Sequence, residues 1–284
     1  MDTATKNQII GTDLLRYPRT PHIEGSKLQV GDEGHDQVPL SAHAGRFTVI
    51  EEKVDGANSG VSFSEAGQLL LQSRGHYLVG GGRERQFGLL KQWAACHEEW
   101  LLERLEDRYV MYGEWCLALH AQPYNALPHY FLEFDVWDKR VGRFLSTAAR
   151  HRLLAGGPVV SVPVVYQGVM PTRVDQLREL IKPSLARTST WREDFEKAAV
   201  REGLTVERAW GYADKSEFAE GLYGKVEEGD YVVDRFKFVR GDFIQAIEEA
   251  GVHHAERTLI PNQLAAGVDL YAPVAHVGWP QRQA

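Results

Sequence analysis

A mixed α/β domain is predicted by two patterns in the sequence. Short runs of β-branched and aromatic residues recur along the chain, and between them lie stretches whose apolar residues fall three and four apart. Hydrophobic residues make up 43% and charged residues 25% of the 284, the balance of a globular protein that can bury a real core. One large domain, alone or with a small appendage, is the expectation.

From Met1 to Gly45 the residues are rich in Pro, Gly, His and Asp with weak periodicity, which reads as an irregular arm over 1–44. Phe47 to Ile50, Val61 to Phe63 and Leu69 to Leu71 read as strands, the last ending on a glycine-bearing loop at Ser73-Arg74-Gly75. Between Phe87 and Leu105 the residues Leu89, Leu90, Trp93, Cys96, Trp100, Leu101 and Leu105 mark the buried face of one helix. Tyr109 to Trp115 and Phe131 to Trp137 read as buried strands. A helix from Ser146 to Leu154 leads to a Val-rich strand ending near Tyr166, and helices follow over Asp175 to Ile181 and Trp191 to Glu202. Phe218 to Val226 and Tyr231 to Val239, around Glu227-Glu228-Gly229-Asp230, make a hairpin. The residues after Arg240 are too few for a second domain. They are expected to form a helix (Phe243 to Glu249) and a tail over 242–284, leaving 45–241 as the main domain.

The formal net charge of −7 excludes a protein that coats nucleic acid by bulk electrostatics, because that binding draws on Lys and Arg. A focused cleft of a few cations remains compatible with it. No apolar run approaches the roughly 20 residues that cross a bilayer, and Met1 to Ile10 carries no signal-peptide pattern. A cytoplasmic protein with no membrane association is expected. Cys96 and Cys116 are too few for a disulfide framework and read as buried free thiols. His22, His120 and the pair His253-His254 lack zinc-like spacing and read as solvated or hydrogen-bonded imidazoles.

Lys53-Val54-Asp55-Gly56 follows a strand and opens a turn, so its lysine can project from fixed backbone into a cleft. Such a string alone recurs by chance; the ordered series of motifs downstream of it gives it weight. Lys53-Val54-Asp55-Gly56 resembles the nucleophile motif of the covalent nucleotidyltransferases, the superfamily of DNA ligases, RNA ligases and mRNA capping enzymes. Ser73-Arg74-Gly75 is similar to the ribose-contacting Arg motif, and Tyr112-Gly113-Glu114-Trp115 to the motif whose Glu holds the ribose. Phe134-Asp135-Val136 resembles the motif whose aromatic stacks on the base, with Phe131 as a competing stacker. Glu220-Gly221-Leu222-Tyr223-Gly224-Lys225 resembles the Glu-Gly motif, and Arg235-Phe236-Lys237 falls where the final basic motif is expected.

The resemblance implies an ATP-grasp-like ligase adenylation domain of antiparallel sheets with flanking helices and a cleft between the sheets. Its chemistry has a physical logic. The α-phosphate of ATP repels nucleophiles, so attack needs a neutral amine, cations on the phosphate oxygens and a pyrophosphate leaving in line. Neighbouring cations and partial burial are expected to depress the pKa of Lys53 and free its lone pair. Lys225 and Lys237, with a divalent metal, supply cations. Glu220 holds the metal, for which Mg²⁺ fits and Mn²⁺ can substitute. Glu52, Arg74, Glu114, Phe134 and Arg235 complete the nucleotide-binding set. A guanidinium such as Arg235 pairs well with phosphate.

Asn58 resembles the extra asparagine that follows the nucleophile motif in nick-sealing RNA ligases. It is expected at the mouth of the cleft, bonding the nucleic-acid end. Gly113-Glu114-Trp115, His120, Tyr124, Leu127-Pro128 and Tyr130-Phe131 also look like the RNA-ligase version of this region, and no OB-fold-like segment follows Lys237. The implied reaction has three transfers: Lys53 takes AMP from ATP, the AMP passes to a 5′-phosphate, and a 3′-hydroxyl displaces it. The implied partner is RNA with 5′-phosphate and 3′-hydroxyl ends, including nicked duplex, in RNA repair, with a kinase or phosphatase preparing the ends. The alternatives are an ATP-dependent DNA ligase, a capping-type guanylyltransferase and an end-binding module that has lost catalysis.

Overall fold

Two antiparallel sheets face each other across a cleft in a computed structural model of the chain, which describes residues 13–28, 37–243, 258–275 and 277–280. The strands are β1 (Phe47–Lys53), β2 (Ala57–Phe63), β3 (Leu69–Ser73), β4 (Tyr109–Trp115), β5 (Phe131–Asp138), β6 (Arg143–Phe144), β7 (Val160–Ser161), β8 (Val164–Val169), β9 (Gly221–Glu228) and β10 (Tyr231–Val239). A four-stranded sheet runs β10-β9-β1-β8, and a six-stranded sheet runs β3-β2-β4-β5-β6 with β7 added beside β5 as a parallel partner. The helices are α1 (Gly88–Cys96), α2 (Glu98–Leu105), α3 (Thr147–Leu154), α4 (Val174–Leu180), α5 (Trp191–Arg201) and α6 (Val206–Trp210). The expected mixed α/β architecture of antiparallel sheets with flanking helices is the one observed.

The helical periodicity between Phe87 and Leu105 resolves into two helices, because the backbone leaves helical geometry at His97 (φ −115°, ψ 17°). The apolar stripe survives the break. Leu90, Trp93, Leu101 and Leu105 pack together on Val61, Phe63, Met111, Trp115 and Val136, the outer face of the six-stranded sheet. Each such fully buried side chain contributes roughly 1.5–3 kcal/mol. On the other side, Leu177 of α4 packs with Ile50, Leu222, Phe236 and Phe238 of the four-stranded sheet. The sheets are thus covered outside and leave their inner faces for the cleft.

Local signals place the remaining elements. Ser146 caps α3 by accepting the Ala149 amide at 3.4 Å. The β9–β10 hairpin turns at Gly229-Asp230, with Gly229 at φ 59°, the left-handed conformation glycine adopts without strain. The hairpin starts at Gly221, later than expected, because Phe218 instead bridges Pro183. Helix α6 had no counterpart in the sequence reading. Cys116 is buried as expected, but Cys96 is exposed, since its place at the end of α1 turns it off the apolar stripe. The helix expected over Phe243 to Glu249 lies beyond the described residues after Phe243, as do His253 and His254. The segment 258–275 lies against the body through Leu119 N–H to Ile260 O at 2.8 Å and Asn262 N–H to Leu117 O at 2.7 Å. No helix among the described residues is long and apolar enough to cross a membrane.

Candidate active site

Lys53 closes β1 and sends its side chain into a cavity of about 200 Å³ between the sheets. The next residues fix it there. The Asp55 carboxylate accepts the Ala121 and Gln122 amides at 2.7 and 2.8 Å, and the Asp55 amide donates to the Tyr124 hydroxyl at 2.9 Å. The acidic residue of the Lys-x-Asp-Gly string therefore pins the turn to the connection after β4. Gly56 is required by close approach: a Cβ there would stand 2.8 Å from Trp115 O and 3.1 Å from Glu114 Cγ. Without that Cβ, Glu114 comes in beside Lys53.

Asn58, Arg74, Glu114, Phe134 and Lys237 line the same cavity, together with Glu52. Asn58 and Glu114 are cross-strand partners on β2 and β4, which puts both on one face of the six-stranded sheet. Arg74 projects from the turn after β3, which is held by Ser73 N–H to His76 O at 2.9 Å. Phe134 presents an aromatic ring from β5. Lys237 enters from β10 opposite. The buried Glu52 carboxylate accepts the Ser184 hydroxyl at 2.5 Å, so it anchors a connection as well as lining the site. Glu220 stands behind the nucleophile candidate, with Lys53 Nζ 2.6 Å from its Oε1.

The electrostatics correct one expectation. Burial lowers the Lys53 pKa, but the carboxylates of Glu220, Glu114 and Asp55 outweigh it and hold the amine above its ordinary value. The depressed amine is Lys237, brought down to about 8 by burial, by Lys53 and by Arg19 and Arg74. Burial pushes Glu114 up to about 8 and Glu220 up to about 7, against the pull of Lys53. The expectation failed because the motif brings in carboxylates along with the lysine.

Residues 46–239 match the RNA ligase family. The chain belongs to the RNA ligase family. Among solved structures, an RNA ligase of Naegleria gruberi, in two variant forms each with AMP and Mn, matches with TM-scores of 0.51 and 0.50. Identity is 15%, over 86% of this chain and 67% of that one, so the likeness speaks to the fold. No curated protein matches the chain.

Two family-motif cations stand beside the cavity without lining it. Lys225 is fully buried beneath it, with Nζ 2.8 Å from Glu51 Oε2 and 3.1 Å from Asp135 Oδ1, and donates to Phe134 O. Glu51 also pairs with Arg150, whose guanidinium lies 2.6 Å from Glu133 Oε2. Burial, with Arg150 close by, lowers the Lys225 pKa. Arg235 donates to the Tyr17 and Tyr223 hydroxyls at 2.6 and 3.1 Å and lies over the Phe144 ring. Both cations tie the two sheets together, and neither is a lining residue.

From sequence, Arg16 and Arg19 of the arm read as solvated charges or as contacts to nucleic-acid phosphates, and no arm residue is assigned to the nucleotide site. Tyr17, Pro18, Arg19 and Thr20 form one wall, as does Tyr223 of β9. The Tyr17 ring meets Phe134 edge to face at 5.1 Å, and its hydroxyl donates to Asp135 Oδ2 at 2.6 Å. The one signal available was an aromatic between arginines, Arg16-Tyr17-Pro18-Arg19.

Among the described residues, no group of three or more His, Cys, Asp and Glu side chains gathers as a metal cage. A magnesium ion needs less, since it keeps waters and takes one or two carboxylates plus substrate phosphates. Glu220 Oε2, buried without a hydrogen-bond partner, fits that demand.

Proposed function

We propose that the chain is an ATP-dependent RNA ligase that carries AMP on Lys53 and joins 5′-phosphate to 3′-hydroxyl ends. The observation that carries the reading is the Lys53 amine, projecting from a rigid strand into a cavity it shares with Arg74, Glu114, Phe134 and Lys237. A nucleophile, a ribose-bracketing pair, an aromatic and a phosphate-facing cation in one pocket suit a nucleotide whose α-phosphate meets an amine. The membership in the RNA ligase family and the AMP and Mn carried by the Naegleria gruberi enzyme support ATP and a divalent ion here.

In this reading Lys53 exchanges its Glu220 partner for the α-phosphate. Lys237 neutralises phosphate oxygens, Arg74 and Glu114 take the ribose hydroxyls, and Phe134 stacks on adenine. A bound Mg²⁺ or Mn²⁺, held by Glu220, water and phosphate, supplies charge neutralisation. Asn58 contacts the bound substrate from the cavity wall. Residues 45–241 form the adenylation domain in this reading, with 1–44 as an arm and 242–284 as a tail. A cytoplasmic role in RNA repair, on ends prepared by a kinase or phosphatase, belongs to the same proposal.

The test is sealing. Nicked RNA duplex and single-stranded RNA with 5′-phosphate and 3′-hydroxyl ends are incubated with ATP and Mg²⁺, beside matched all-DNA nicks and a GTP control. ATP-dependent joining of the RNA is expected. Faster joining of the DNA nick, or dependence on GTP, would move the reading to the DNA ligase or capping-enzyme alternative.

A further inference from the structure

The described arm bonds to β10 and crosses from there to the six-stranded sheet, where Tyr112 and Gln72 donate to Leu15 O at 2.8 Å each. Downstream, Lys237 N–H donates to Pro21 O at 2.9 Å and Ile23 N–H to Lys237 O at 3.0 Å, a parallel bridge between His22 and Lys237. Upstream, the Tyr17 hydroxyl is held by Asp135, Tyr223 and Arg235. Pro18-Arg19-Thr20 spans the step between them, with Thr20 bonded to Tyr223. Arg19 lines the cavity, with Tyr17, Pro18 and Thr20 beside it, and shares it with Lys53, Arg74 and Lys237.

The order across this side of the cleft is β1, β9, β10 and then the arm. Lys53 stands on β1, Lys237 on β10 and Arg19 on the strip beyond. His22 bridges Lys237 at the β10 edge, and β9 and then β1 lie beyond, so Arg19, three residues before His22, enters the cavity from the side away from Lys53 with Lys237 between them. An amine attacking the α-phosphorus expels its leaving group on the side away from itself. That side is the arm's. The arm also brings a positive charge close to Lys237, one of the influences that hold down that amine. A cluster of cations in one concavity is a site for a polyanion.

We infer that Arg19 is the leaving-group cation of the adenylyl transfer, binding the β- and γ-phosphates of ATP and the pyrophosphate they become. The inference rests on the proposed transfer of AMP to Lys53. In that step the ammonium of Lys53 gives up one proton to water before attack and a second to water as the N–P bond forms. The bond between the α-phosphorus and the bridging oxygen to the β-phosphate breaks, and pyrophosphate departs with the electron pair. Arg19 meets charge that grows on pyrophosphate as it leaves, and it has no part once AMP sits on lysine or on RNA. A guanidinium suits the task because it presents several donors to phosphate oxygens and stays charged.

The experiment measures three quantities on wild type, Arg19→Ala and Arg19→Lys: the single-turnover rate of AMP transfer from ATP, the affinity for inorganic pyrophosphate with Mg²⁺ by calorimetry, and the sealing rate of RNA already carrying a 5′-adenylyl group. For Arg19→Ala, AMP transfer is expected to slow by about tenfold to a hundredfold. Pyrophosphate affinity should fall with it, and sealing of the pre-adenylylated strand should be kept within about twofold. Arg19→Lys should recover part of the first two losses. Equal loss of transfer and of pre-adenylylated sealing would overturn the inference in favour of an RNA contact or a structural role. Unchanged transfer and pyrophosphate affinity would overturn it outright. If wild type takes no AMP from ATP, the proposed function fails, and pyrophosphate affinity alone then decides for or against the anion site at Arg19.

Discussion

Lys53 Nζ rests 2.6 Å from the Glu220 carboxylate, so the nucleophile candidate is held in its protonated form until that contact is exchanged. Lys237, in the same cavity, is under opposite influence: burial and its cationic neighbours bring its amine to about 8. The two lysines should therefore titrate in inverted order from what a depressed nucleophile would show. Competitive acylation of the ligand-free protein between pH 7 and about 12, read peptide by peptide, is expected to modify Lys237 with a midpoint near 8, with Lys53 following only above the ordinary lysine range. Reaction of Lys53 ahead of Lys237 would contradict the site's electrostatics.

Beneath the cavity, Arg150 joins Glu51 and Glu133, and all three side chains are fully buried. Truncating one partner of a buried ion pair leaves uncompensated charge and costs on the order of 3–5 kcal/mol. Arg150→Ala should lower the unfolding free energy by that amount at pH 8, measured by denaturant titration. Burial already holds the Glu133 carboxyl above its ordinary range, so the folded state binds this proton more tightly than the unfolded chain. Such a contribution is complete below the unfolded pKa and is lost as pH rises through the folded one. Removing Arg150 raises the folded pKa further, so the variant's deficit should shrink at pH 5. A deficit that does not change with pH would show that the carboxylates find other partners.

The Asn58 Oδ1 is buried and has no hydrogen-bond partner, an arrangement that costs stability unless a ligand donates to it. Asn58→Ala is expected to leave the unfolding free energy unchanged or to raise it by up to about 1 kcal/mol, while RNA sealing with ATP falls at least about tenfold. Thermal melts and single-turnover sealing check the two halves. A variant that is less stable and fully active would assign Asn58 to the fold alone.

How much of the site was legible in the sequence depends on how local each signal is. Lys53, Arg74, Glu114 and Phe134 lie in short strings at strand ends or on strand faces, and the cavity gathers them. Lys225 and Arg235 stand beside the cavity and not in its lining, for a reason that spacing explains. They are cross-strand partners on the face shared by Tyr223 and Lys237, but two residues along a strand is about 7 Å, and that step carries them past the cavity into the buried network. Tyr17 was invisible because its partner Asp135 lies 118 residues away and the arm has no periodicity to read. The break at His97 was equally hidden, since the apolar stripe continues through it. The Lys53–Glu220 pairing, which sets the resting state of the nucleophile candidate, depends on β9 lying beside β1, and no string of residues states that.

The central claim is a covalent bond at Lys53, and it is measured by incubating the protein with ATP labelled in the α-phosphate and Mg²⁺, followed by a denaturing gel and peptide mass mapping. One AMP on Lys53, released by acid and by hydroxylamine as a phosphoramidate is, is the expected result. Lys53→Arg should abolish it, because a guanidinium keeps the charge but cannot deprotonate to attack. Label retained by Lys53→Arg, or AMP found on Lys237 in place of Lys53, would contradict the account.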